Sequence, residues 1–278
     1  MKQLFDEVSY NCSKITTKKY STSFYLGVLL LEKEIQTHIC NIYGFVRFAD
    51  EIVDTFHQYD KKNLLLDFEK DCYKAIHAKI SLNPILNSFQ QTVNSYNIEN
   101  ELIETFLLSM KMDLEPQEYS QENFKKYIFG SAEVVGLMCL RVFTNGNNEK
   151  YEELKPYAMK LGSVLQKVNF LRDVSYDYNV LDRTYFPDLD FNNITENNKQ
   201  LIFQDIENEF NYALIGIKKL PISSRFGVYL AYKYYRKLFK KIQNTETKNL
   251  ISQRIRIPNS EKYSILFRAL VRHKLSRY

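Results

Sequence analysis

An all-α, single-domain helical bundle is the fold that the sequence predicts, and three observations carry it. Only 8 Gly and 6 Pro punctuate 278 residues, too few for the turns of a strand-rich chain or for glycine-rich phosphate loops. Apolar residues instead recur at helical spacing through long blocks. No solenoid-period repeat, low-complexity tract or linker-like stretch interrupts them, so residues 1–278 read as one domain, with 45% hydrophobic residues to fill a core.

The blocks follow in order. Helical periodicity covers about 10–55 and 62–80, then 84–96, 99–114 and 121–143, with breaks at SLNP, LEPQ and TNGNN. Further helices are expected over 151–178, 197–220, 224–243 and 259–277, separated by DRTYFPDLDFNN, LPIS and RIRIP. The longest apolar run, FYLGVLLL at 24–31, falls far short of the roughly 20 residues of a membrane span. The start MKQLFDEVSY has no signal-peptide pattern. Cys12, Cys40, Cys72 and Cys139 are widely spaced with no C-x-x-C pair, which suits a reducing compartment and indicates neither a zinc site nor a disulfide framework. A soluble, cytoplasmic protein is expected.

Charge is uneven. From residue 233 onward 13 Lys and Arg face only Glu246 and Glu261, a local net charge of +11 within a chain of +5. Lys233, Lys237, Lys240 and Lys241, supported by Arg268 and Arg272, either solvate a helix or meet an anionic lipid surface or a diphosphate. No nucleic-acid reading motif accompanies them. The 21 Tyr and 19 Phe, with no Trp, fit an aromatic core or a long apolar channel whose rings could stabilise a carbocation.

The chemistry is concentrated in two aspartate pairs. IYGFVRFADEIVD sets Asp50 and Asp54 four residues apart, about 6 Å on one helix face, and LQKVNFLRDVSYD repeats the spacing with Asp173 and Asp177. Behind Asp173, Asn169 and Gln166 continue its stripe; behind Asp50, Arg47 and Tyr43 do the same. The remaining faces are apolar. Helices of this kind are buried in a bundle, and buried carboxylates require cations or dense hydrogen bonding. Magnesium, which takes one or two carboxylates together with phosphate oxygens, would answer that need and could assist departure of a diphosphate.

At these residues the chain resembles the squalene/phytoene synthases, the enzymes that join prenyl diphosphates head to head. The resemblance begins at YSTSFYLGV (20–28) and YGFVRFADEIVD (43–54). It runs on through YIFGSAEVVGLMCLRVF (127–143) and LGSVLQKVNFLRDVSYDYNVLDRTYFP (161–187) to AYKYYRKLFKKI and RIRIP. The third and fourth blocks are most similar to bacterial phytoene synthases. The resemblance implies an isoprenoid-synthase bundle around a central cavity. It also implies several Mg²⁺ ions held by Asp50, Asp54, Asn169, Asp173 and Asp177, and no nicotinamide cofactor. It places Ser23, Arg47 and Arg172 near diphosphate oxygens, and Phe24, Tyr43, Tyr127, Gln166 and Tyr235 along the prenyl channel. Arg183 and Tyr185 fall in a further family motif.

Plainer roles stay open at this point. Phe24, Tyr127 and Tyr235 could be core rings, Ser23 a helix cap, Arg47 an intrahelical partner of Asp50 or Glu51, and Gly130 and Gly136 packing glycines. Asp113 in MKMDLE is expected at the surface, and Arg254 could reach a diphosphate. The implied activity is condensation of two geranylgeranyl diphosphates to phytoene. The alternatives are a squalene or dehydrosqualene synthase acting on farnesyl diphosphate and a non-catalytic helical assembly factor on the same fold.

Overall fold

The computed structural model describes residues 1–115, 120–179, 185–187, 196–246, 249–250, 254–258, 260–262, 264–267 and 271, without the side chains of 176–179 and 196–197. Arg183, Arg268, Arg272 and the side chain of Asp177 therefore lie outside the described residues. The helices are α1 (Lys2–Tyr20), α2 (Thr22–Val28), α3 (Lys33–Asp54), α4 (Lys61–Ala78), α5 (Pro84–Tyr96) and α6 (Asn100–Met112). They continue with α7 (Gln121–Ile128), a π-turn (Phe129–Glu133), α8 (Val134–Phe143), α9 (Asn148–Asn179), α10 (Glu196–Lys219) and α11 (Ile222–Gln243). No strand occurs among the described residues.

Local chemistry sets most boundaries. Asn83 caps α5 by accepting from the amides of Ile85 and Leu86, with Pro84 at the first helical position. Asn97, at φ 51°, closes the same helix in the left-handed conformation. Asp60 caps α4 and Ser120 caps α7. Two expected blocks are divided. The stretch 10–55 becomes three helices that begin at Lys2, because Ser21 leaves helical geometry and its hydroxyl caps α2. The cap of α2 is thus Ser21, not Ser23. The stretch 121–143 is split by the π-turn, which is wedged between two helices. A Cβ on Gly130 would lie 2.8 Å from Cβ of Ser109 in α6, and one on Gly162 in α9 would lie 2.5 Å from the Ala132 carbonyl oxygen. The wider π geometry lets the backbone pass between these close neighbours.

Two cores result. In the first, the Phe45 ring stacks on Phe89 at 3.9 Å, flanked by Phe68 and Phe106, and joins α3 to α4, α5 and α6. In the second, Val164, Val168, Leu171 and Val174 of α9 pack with Phe210 of α10 and Phe239 of α11. Many aromatics are plain core, as one of the two sequence readings holds. The other group lines a cavity between the cores. All four cysteines are free thiols, and burial pushes Cys139 up to about 12, so it is a protonated apolar wall residue.

The rotation of α9 is set on its outer side. Lys160, Ser163 and Lys167 form a stripe that meets Glu209 of α10 at 2.9, 2.8 and 3.1 Å, and Lys167 also reaches Asp205. With Glu209 and Lys167 both buried, losing one partner strands the other charge. Glu209→Ala is expected to destabilise the protein by about 3–5 kcal/mol, and Glu209→Gln by less, in chemical denaturation followed by circular dichroism. A loss below about 1 kcal/mol for the alanine variant would show that the cluster does not fix the helix.

Candidate active site

The cavity between the cores has a volume of about 650 Å³, within the usual range for a small-molecule site. α3 and α9 supply its two polar edges. Both helices bury an apolar face in a core and turn the other inward. Tyr43, Val46, Arg47, Asp50 and Asp54 of α3, and Leu161, Leu165, Gln166, Asn169 and Asp173 of α9, line the space at helical spacing. Ser23, Phe24, Tyr127, Arg172 and Tyr235 line it too. Every candidate residue with a described side chain is thus brought to one cavity.

At one end the carboxylates are held by guanidinium groups. Arg47 donates to Asp50 and to Glu51, and its guanidinium lies 4.4 Å from the centre of the Tyr20 ring. Desolvation opposes the Arg47 charge, yet Asp50 and Glu51 outweigh it and raise its pKa. Arg172 Nε donates to Asp173 Oδ1 at 2.9 Å, and Arg254 pairs with the same carboxylate at 2.7 Å. Burial likewise opposes the Arg172 charge, and Asp173 more than restores it. The segment carrying Arg254 is tied down where the Ile255 amide donates to the Arg172 carbonyl. Nearby, Lys262 reaches the Thr22 hydroxyl at 3.2 Å; burial, then Arg256 and Arg172, lower its pKa. This end of the cavity concentrates positive charge around acids.

Deeper, polar groups are few, and three of them are linked by hydrogen bonds. Tyr235 Oη donates to Asn169 Oδ1 at 3.1 Å, and Asn169 Nδ2 donates to Gln166 at 3.4 Å. Tyr43 stacks on Phe24 at 5.1 Å, and burial pushes its hydroxyl up to about 12. A second aromatic group is formed by Phe170 stacked on Tyr185 at 4.0 Å, with Tyr127 at 5.5 Å from Tyr185. The far wall consists of small or apolar side chains, including Ala132, Val135, Gly136, Ala158 and Gly162. Gly136 therefore serves both readings given to it: it lines the space, and its Cβ position is 3.0 Å from the Ala158 carbonyl.

One expectation is corrected and several residues are new. Asp113 is not at the surface: it is 7% exposed and accepts a hydrogen bond from Tyr127 Oη at 2.7 Å. Tyr20 and Phe170 join the site from within YSTSFYLGV and LQKVNFLRDVSYD, and Arg254 joins it from RIRIP. Lys262 stands beside the site and has no local sequence signal.

Among the described residues no three acidic, His or Cys side chains gather closely enough to cage a metal alone. Asp50 and Asp54 nevertheless stand in the last turns of α3, whose carbonyl end carries partial negative charge, and Asp173 lines the same cavity near the end of α9. This donor set fits a hard divalent cation that takes one or two carboxylates and completes its shell with ligand oxygens. The whole arrangement suits an amphipathic ligand with an anionic head and a long apolar tail.

The comparisons with known proteins agree with that chemistry. The squalene/phytoene synthase family profile matches residues 17–261. The chain is 26% identical to a phytoene synthase of Arthrospira platensis over 96% of this chain and 94% of that one. It is 24% identical to the chloroplastic phytoene synthase 1 of Arabidopsis thaliana over 88% of this chain, spanning 62% of that protein's length. In fold it is similar to a dehydrosqualene synthase solved in complex with ligand, with a TM-score of 0.81, 19% identity and 98% of both chains covered. Cavity, helix order and sequence profile together assign the chain to the squalene/phytoene synthase family of prenyltransferases.

Proposed function

We propose that the protein is a phytoene synthase, which condenses two geranylgeranyl diphosphates head to head with Mg²⁺ and without a nicotinamide cofactor. One observation carries the reading: two aspartate-bearing helices and a set of arginines converge on one end of a cavity whose remainder is apolar and aromatic. The cavity follows α9 from Asp173 to Leu154, about 28 Å of helix at ~1.5 Å per residue, which favours a long prenyl chain. The phytoene synthases among the relatives point the same way.

Asp50, Asp54, Asn169, Asp173 and Asp177 would hold Mg²⁺, which when bound supplies neutralising charge for the departing diphosphate. Arg47, Arg172 and Arg254 orient the diphosphate oxygens as charge-assisted donors, with Ser23 beside them. The apolar walls exclude water, so the allylic cation left by the first donor survives beside the Phe24–Tyr43 and Tyr127–Phe170–Tyr185 rings. The C2=C3 bond of the second donor captures it, and loss of a proton from C1 of the first donor, which the released diphosphate can accept, closes the ring to a cyclopropylcarbinyl diphosphate. The Gln166–Asn169–Tyr235 chain of hydrogen bonds fixes the polar edge of α9 during this step. A second ionisation, rearrangement and proton loss yield phytoene.

Each rival has its own signature. A squalene or dehydrosqualene synthase would prefer farnesyl diphosphate, and the fold likeness to a dehydrosqualene synthase keeps that reading in view. A non-catalytic assembly factor has no need of Asp50, Asp54 and Asp173 on one cavity. Purified protein incubated with each diphosphate and Mg²⁺, with and without NADPH, is expected to give phytoene from the C20 substrate regardless of NADPH. Asp54→Ala and Asp173→Ala are each expected to lose about 10²–10³-fold or more in turnover while circular dichroism stays helical. Product from the C15 substrate alone would favour the rival enzyme, and no hydrocarbon from either would favour the assembly factor.

A hydrocarbon product must be unloaded into lipid, and no described helix is long and apolar enough to cross a membrane. The reading therefore includes reversible docking through α11. Lys233, Lys237, Lys240 and Lys241 are all exposed. Lys237 is engaged by Glu261, so the other three carry more of the attraction, at about 1 kcal/mol per cation near an anionic surface. Co-sedimentation with vesicles is expected to rise with anionic lipid, fall with salt and weaken when these lysines become Gln. Indifference to lipid charge would remove docking from the proposal.

A further inference from the structure

The end of the cavity farthest from the aspartates is closed by a thin wall. Leu154, Tyr157, Gly216 and Leu220 line the cavity there. α9 and α10 touch directly, since a Cβ on Gly216 would stand 2.2 Å from Tyr157 Cβ. With no side chain at Gly216, the Tyr157 ring shuts the seam. That ring is half-buried, stacks on Tyr212 at 4.8 Å and has the Lys219 ammonium 5.3 Å from its centre. Both partners are exposed. The ring can therefore turn outward without stranding a buried charge, unlike the Lys160–Glu209 contact one turn along α9. The turn of α9 that carries it also lacks a rung, because Pro156 has no amide to donate to the Glu152 carbonyl.

Outside this seam the surface is apolar. Tyr212 and Ile215 of α10 and Ile222, the first residue of α11, are 42%, 47% and 65% exposed. Lys218 and Lys219, both exposed, stand between Ile215 and Ile222 in the chain. Exposed Ile, Tyr and Lys together suit a surface that rests in a membrane interface. The patch also continues the face of α11 assigned above to docking. Ile222, Tyr229, Lys233, Lys237 and Lys240 fall on one helical stripe, and the Lys233 ammonium lies 6.0 Å from the centre of the Tyr229 ring. The far end of that stripe is near the diphosphate site, where Lys241 donates to the Arg256 carbonyl. On a bilayer, α11 would set its basic half beside the polar end of the cavity and its apolar start beside the tail end.

We propose that the Tyr157–Tyr212 pair is the door of a hydrocarbon port, through which the tail end of the cavity opens onto a lipid bilayer. The inference deepens the reading under Proposed function and rests on it. An apolar product leaves tail first, from the cavity into acyl chains, and crosses neither water nor the charged end of the site. The basic half of α11 supplies attraction to anionic headgroups, and the apolar patch sets where the port meets the lipid.

The test uses the full chain with vesicles that contain anionic lipid. The chain has no Trp, so Ile215→Trp, Ile222→Trp and, as a control on α1, Leu4→Trp each carry a single fluorescent reporter. With brominated acyl chains in the vesicles, emission from positions 215 and 222 is expected to shift to shorter wavelength and be quenched, and emission from position 4 to stay as it is in buffer. The second readout is transfer of radiolabelled squalene, a hydrocarbon probe, from the protein to vesicles. The double variant Ile215→Glu/Ile222→Glu is expected to slow transfer about tenfold or more, and Tyr157→Ala and Tyr212→Ala to speed it by a similar factor. In the synthase assay the glutamate variant keeps the wild-type rate of the first turnover and falls only in steady state, a split that a general structural defect would not produce. Reporters at 215 and 222 that stay unquenched, whether or not the protein binds vesicles, would overturn the proposal. So would a wild-type protein that takes up no squalene, or wild-type transfer in the glutamate variant. Should Tyr157→Ala not fold, Tyr212→Ala at its exposed position decides the door, and wild-type transfer there overturns it. If the wild-type protein makes no hydrocarbon from any prenyl diphosphate, the reading as a synthase fails, while the reporters and squalene transfer still decide whether the tail end opens on lipid.

Discussion

Carboxylates at the edge of an apolar cavity need positive partners, and the architecture of this protein follows from how that need is met. Asp50 is held by Arg47, and Asp173 by Arg172 and Arg254. These pairs are only partly buried: Asp50 is 34% and Arg254 47% exposed. At that exposure an ion pair contributes about 0–1 kcal/mol, so it can be exchanged at little cost. On the proposed reading the guanidinium groups turn to diphosphate oxygens and the acids to metal ions, which exchanges one set of partners for another without stranding any charge.

The apolar remainder of the cavity depends on helices that approach closely without filling the space between the two cores. Gly162 lies against the π-turn at Ala132. Across the cavity, a Cβ on Gly227 of α11 would stand 2.6 Å from the Gly27 carbonyl of α2. Small residues there let backbones touch where larger side chains would hold them apart. The Lys160–Ser163–Lys167–Glu209 cluster then sets the rotation of α9 from outside, which keeps Gln166, Asn169 and Asp173 turned inward. Charge outside and charge inside thus belong to one helix and one constraint.

Much of the site was legible in the sequence because its signals are local. Two acids four residues apart on an otherwise apolar helix conflict with burial unless a ligand resolves the conflict, and both pairs stood out for that reason. The break at SLNP and the start of α5 at Pro84 were equally readable. What escaped depends on distant partners. The Lys160 stripe looks like a solvated face until Glu209 arrives from α10, and Lys262 meets Thr22 from 240 positions away. Asp113 in MKMDLE has the local appearance of a surface acid, and only the return of α7 places Tyr127 over it. The π-turn arises from pressure by α6 and α9 on a segment whose own periodicity reads as continuous helix. Asp177 was expected on the same stripe, and its side chain lies outside the described residues.

The central claim is that arginine-held carboxylates become a metal site when a prenyl diphosphate arrives. Mn²⁺, which shares the oxygen preference of Mg²⁺, is a paramagnetic probe for it. Titration followed by electron paramagnetic resonance, with and without a non-hydrolysable prenyl diphosphate analogue, measures the coupling directly. The account predicts weak binding to the protein alone and tight binding of Mn²⁺ with the analogue, abolished in Asp50→Asn and in Asp173→Asn. Equal Mn²⁺ affinity with and without the analogue, or unchanged affinity in the Asn variants, would contradict it.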